Sequence, residues 1–188
     1  MKNPHPFEYL SVTAQKRVFV VLLMLTLLVM GGLRYLDGPL KTEAAPAGIV
    51  SFEFAGNPAA AKQIMTSWGP RGSVYAGLSL GIDFLFLIAY AGVVGLGCVL
   101  AAGSLSPGMK PVSLLGAPLA WAQLGAALLD AVENVSLIQV LLGAESKLWA
   151  ALAFWCAIPK FVIVALGLLY IVVCMVLLMI RKSRAKSI

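Results

Sequence analysis

Residues 74–102 read VYAGLSLGIDFLFLIAYAGVVGLGCVLAA. The stretch carries a single charge, Asp83, in a run longer than the roughly 20 residues a helix needs to cross a bilayer core. Three more apolar runs accompany it. Residues 17–36, 112–142 and 148–180 are each long enough to span, and the third and fourth also carry buried-looking charge: Asp130, Glu133 and Lys160. Alternating short strands, the mark of a membrane barrel, are missing from these runs. The expected fold is therefore all-α: a membrane-embedded, left-handed four-helix bundle in one domain, 1–188.

Composition agrees. Hydrophobic residues make up 61% of the 188 and charged residues 12%, with a mean hydropathy of +0.94. A soluble domain of this length cannot hide that much apolar surface. The net charge of +6 does not mark a nucleic-acid binder, because the basic residues flank the spans. Arg181, Lys182, Arg184 and Lys186 follow the last span directly, where they suit contact with anionic lipid. Lys2, Lys16, Arg17, Lys110 and those four fall on one side, against Arg34, Lys41, Lys62, Arg71 and Lys147 on the other. The bias places both termini in the cytoplasm.

The loop 37–73 is then external. Gly38-Pro39 and Gly69-Pro70 punctuate its ends. Residues 48–55 are rich in strand formers, and Asn57-Pro58 reads as the cap and first residue of a short helix over 59–68. Ile64, Met65 and Trp68 give that helix an apolar edge suited to the bilayer surface. The loop is expected to form a small cap over the helix ends. Trp68, Tyr75, Trp149 and Trp155 are expected at the membrane interfaces.

The charged positions gather by depth. At ~1.5 Å per residue, Asp83 lies ~14 Å along its helix from the external end, Glu133 ~14 Å, and Asp130 and Lys160 ~18 Å. Asp130, Glu133 and Asn134 share a helix face at i, i+3 and i+4, as do Ser79, Asp83 and Tyr90 on the second helix. Gly77 and Gly81 offer a G-x-x-x-G contact there. A charge inside the bilayer costs roughly 2.5–3.5 kcal/mol, so these groups must pair, hydrate or neutralise. The expected site joins Asp83, Tyr90, Asp130, Glu133, Asn134 and Lys160. In it Lys160 bridges Asp83 and one of the Asp130–Glu133 pair, while Asn134 and Tyr90 complete the hydrogen bonds. Three carboxyls against one ammonium leave excess negative charge, so at least one carboxyl is expected to keep a proton. The first helix is expected to add no charge.

Other chemistry is sparse. His5 is the single histidine, and Cys98, Cys156 and Cys174 match no zinc or redox spacing. No metal, cofactor or catalytic residue is expected. The polar network reads as a structural tie between helices, or as a site for a small hydrophobic ligand, lipid or proton. A small proton-coupled transporter and an intramembrane lipid-modifying enzyme are the alternatives.

Residues 81–86 (GIDFLF) with Tyr90-Ala91, 129–134 (LDAVEN) and Pro159-Lys160-Phe161 together resemble a group of bacterial four-helix integral membrane proteins to which no activity is attached. The resemblance implies an inner-membrane protein with these polar positions inside the bundle.

Overall fold

The computed structural model describes residues 4–105 and 109–186. Lys2, and the side chains of Arg184 and Lys186, lie outside the described set. The architecture is all-α: α1 (Val12–Asp37), a 3-10 turn (Gly38–Leu40), α2 (Ile49–Glu53), α3 (Pro58–Ser104), α4 (Lys110–Ser113), α5 (Gly116–Leu141) and α6 (Lys147–Lys186). Four of these helices are long and apolar enough to cross a membrane, which implies a lipid bilayer as their surroundings. Val20, Val21, Met24 and Leu28 on α1, and Leu168, Leu169 and Val172 on α6, are exposed. In water such apolar faces would be unstable; in lipid they need no cover.

The helices begin where the side chains allow. Ser11 caps α1 by accepting from Ala14 N–H at 3.2 Å, and Asn57 caps α3 by accepting from Ala60 N–H at 2.9 Å. Gly69 breaks α3 with φ 62°, a left-handed conformation that glycine takes without a Cβ clash. Pro70 restarts the helix, four residues before Val74. The third long helix starts at Gly116 rather than at Val112, because the one-turn α4 precedes it. α3 is the central helix, touching α1, α5 and α6, while α1 packs chiefly on α3.

The loop after α1 forms the cap, but differently from expectation. Residues 49–53 are helical, and none of the described residues is in a strand. A lone strand here would leave its backbone groups without a partner strand. Instead Asp37 Oδ1 accepts from Ile49 N–H at 2.8 Å and caps α2, and Gly48 makes the turn at φ 61°. A Cβ at Gly48 would run into the Asp37 carboxylate. Ile64 and Trp68 are buried in the cap core beside Leu40, Phe52, Leu80 and Leu137, not spread on the bilayer surface. Trp68 Nε1 donates to Leu40 O at 2.7 Å, and its ring meets Phe52 edge-on at 5.3 Å. The expectation of an interfacial Trp68 is thus corrected: the apolar edge finds the bundle end before it finds lipid. Trp155, by contrast, is exposed.

Candidate functional site

The cap aims one acid into the bundle. In Phe52-Glu53-Phe54, Phe52 enters the cap core and Phe54 stacks on Phe161 of α6 at 5.8 Å. Between these two anchors Glu53 points at Lys160, with 3.5 Å from its Oε2 to the ammonium. Pro159 lies inside α6 immediately before that lysine.

Lys160 is the hub. Its Nζ donates to Asp130 Oδ1 at 3.0 Å and to Glu133 Oε1 at 2.9 Å, and it lies 2.8 Å from Glu133 Oε2. It also sits 4.6 Å from the Phe161 ring centroid. Glu133 is fully buried and Asp130 and Lys160 nearly so. Ala153 and Ala157 on α6 are fully buried small residues. The i, i+3 spacing of Asp130 and Glu133 brings both carboxyls to the same ammonium, as the helix geometry requires.

Asp83 departs from expectation. It does not pair with Lys160; its Oδ2 accepts from Asn134 Nδ2 at 2.6 Å, and it has no ion-pair partner among the described residues. The place expected for Asp83 is taken by Glu53. Shared depth and face establish neighbourhood, but Asp83 takes the amide of Asn134 as its partner. The Tyr90 hydroxyl is buried beside Asp130.

Glu53 was not legible as a site residue, because a depth count along a helix says nothing about a loop. Its one signal is local: an acid between two phenylalanines that both need burial. Burial pushes the Glu53 carboxyl above its usual range, against the opposing pull of the Lys160 ammonium and of a hydrogen bond with Glu133. Glu53 Oε2 and Glu133 Oε2 are both buried and both face the Lys160 ammonium, at 3.5 and 2.8 Å. They can satisfy each other when one carries a proton. Glu53, Asp130 and Glu133 thus share one ammonium while Asp83 has none, four acids where the sequence reading has three.

A cavity of about 220 Å³ reaches this cluster between α1 and the cap. Met30 and Leu33 of α1, Ile49 and Val50 of α2, and Leu80 and Phe86 of α3 supply apolar walls. Ser79, Asp83, Asn134 and Glu53 supply the polar surface, and Arg34 and Asp37 also line the cavity. The first helix therefore contributes charge to the cavity, though none to the ion pairs on Lys160.

No family model, curated protein or solved structure matches the chain. The likeness to four-helix membrane proteins rests on its four long apolar helices.

Proposed function

We propose that this chain is a non-catalytic membrane protein that holds a small ligand, lipid or proton at the Lys160-centred network. The single observation that carries this reading is the cavity lined by Asp83, an acid left without a cation while three others share one. A purely structural tie needs balanced charge, because each spare carboxylate adds desolvation cost without adding an ion pair. In this reading the protein sits in a bacterial inner membrane with both termini in the cytoplasm, and the C-terminal basic residues meet anionic lipid.

The test is extraction of small molecules from purified protein. Wild type should carry a molecule that Leu33→Trp, which fills the cavity wall, excludes. Equal recovery from both proteins would contradict the reading. The surplus of acid also favours a second reading, a small proton-coupled transporter. Proteoliposome flux unchanged by Asp130→Asn and Glu133→Gln would rule those two groups out as required carriers.

A further inference from the structure

The cavity beside Asp83 has a specific imbalance of hydrogen-bonding groups. Carboxylates accept and do not donate. Asp83 and Glu53 both line the cavity; Glu53 faces the Lys160 ammonium at 3.5 Å, whereas Asp83 has no ion-pair partner among the described residues. Asn134 has already placed an amide N–H on Asp83 at 2.6 Å, which leaves its carbonyl oxygen as a further acceptor. The polar surface is rich in acceptors and in negative charge. An anionic guest would meet neither, and a neutral guest would leave the charge unmet.

The remaining walls restrict the guest further. Met30, Leu33, Leu80 and Phe86 offer an apolar surface to a hydrocarbon tail. The volume of about 220 Å³ lies below the ~300–1,000 Å³ usual for drug-sized ligands, so a whole diacyl lipid does not fit inside. Arg34 lines the same cavity and would repel a second cationic group on the guest.

We propose that this cavity binds a small amphiphile through a single primary ammonium group, with Asp83 as its counter-charge and the apolar wall against its tail. The proposal rests on the reading that the cavity is a ligand site, and it names the class of ligand. Three N–H donors on one nitrogen suit the acceptors that Asp83, Asn134 and Ser79 bring to the lining, and the positive charge offsets the unpaired acid.

Octylamine is the probe, with octanol and octanoate as tail-matched neutral and anionic controls. Full-length protein in nanodiscs is titrated with tritiated octylamine, and the signal of empty discs is subtracted. The expected result is saturable binding, with octylamine competing at concentrations at least about tenfold below those of octanol, and octanoate competing least. Asp83→Asn should weaken octylamine by at least about tenfold, and Asp83→Glu should stay within about threefold of wild type. The comparison of the three probes on wild type needs no variant, so a misfolded Asp83→Asn leaves the test intact. Equal competition by octanol and octylamine overturns the ammonium assignment. If labelled octanol then still binds saturably and Leu33→Trp abolishes it, the cavity remains a ligand site for a different class. Absence of saturable binding for all three probes overturns both the assignment and the ligand-site reading beneath it.

Discussion

The two halves of the bundle hold their polar groups by different means. In the half away from the cap, neutral side chains bond to backbone. Gln123 Nε2 donates to Ile163 O at 3.0 Å, Tyr170 O–H to Val112 O at 3.0 Å, and Cys98 Sγ–H to Gly167 O at 3.6 Å. Helices approach closely there: a Cβ at Gly116 would come within 2.8 Å of Cys98 O, and one at Gly167 would strike the Gln123 amide. In the cap half, four acids converge and one ammonium answers three of them. These three bonds join neutral groups within the chain, and the one acceptor left over, Gln123 Oε1, carries no charge. The cap half keeps acceptors and charge to spare beside a cavity. The contrast separates a region built to hold itself together from one with capacity for a guest.

The largest effect should come from removing the hub. Lys160→Met leaves Asp130, Glu133 and Glu53 buried without their cation. Loss of one partner of a buried pair costs about 3–5 kcal/mol, so the unfolding midpoint in detergent should fall steeply. Adding Glu133→Gln to that variant should recover part of the loss, because it removes one of the stranded charges. In the opposite half, Gly167→Leu should cost about 1–3 kcal/mol by overpacking against Gln123 and Val94. Octylamine binding by the folded fraction should then stay at the wild-type level. If it falls as Asp83→Asn makes it fall, the halves are not separable.

Smaller changes sharpen the cap side alone. Trp68→Phe keeps the ring contact with Phe52 but strands the Leu40 carbonyl, at a cost of about 1 kcal/mol. Proteolysis in the segment between the 3-10 turn and α2 should quicken. The last effect is a slope rather than a level. Burial raises the Glu53 carboxyl above 4.5, so the docked cap binds that proton more tightly than the undocked one. Docking should be firmest below that pH and weaken as pH rises through the raised value. Glu53→Gln should flatten the dependence, read by the same proteolysis across pH.

The sequence carried the spans well and the contacts between them less well. Uninterrupted apolar runs and Gly-Pro punctuation mark helices without reference to anything distant, so four long helices were legible, with starts misplaced by a few residues. Asp130, Glu133 and Lys160 were legible as neighbours because helix rise and spacing are fixed. The choice of partner was not: Asn134 takes Asp83, and Glu53 takes the vacated place. Gly77 and Gly81 show the same limit. A Cβ at Gly81 would meet nothing within 4 Å, so the motif there is not a close helix contact, whereas Gly116 and Gly167 are. The loop misled most, since strand formers in 48–55 became a helix once Asp37 capped it and Phe52 found the cap core.

The central claim is that the cap plants Glu53 in the buried network of the membrane helices. A double-mutant cycle between Glu53→Gln and Lys160→Met, read as unfolding free energy in detergent, tests it most directly. Side chains in one ion-pair network couple by about 0.5–3 kcal/mol, and a value in that range is the expected result. Additivity to within about 0.3 kcal/mol would place Glu53 outside the network and contradict the account.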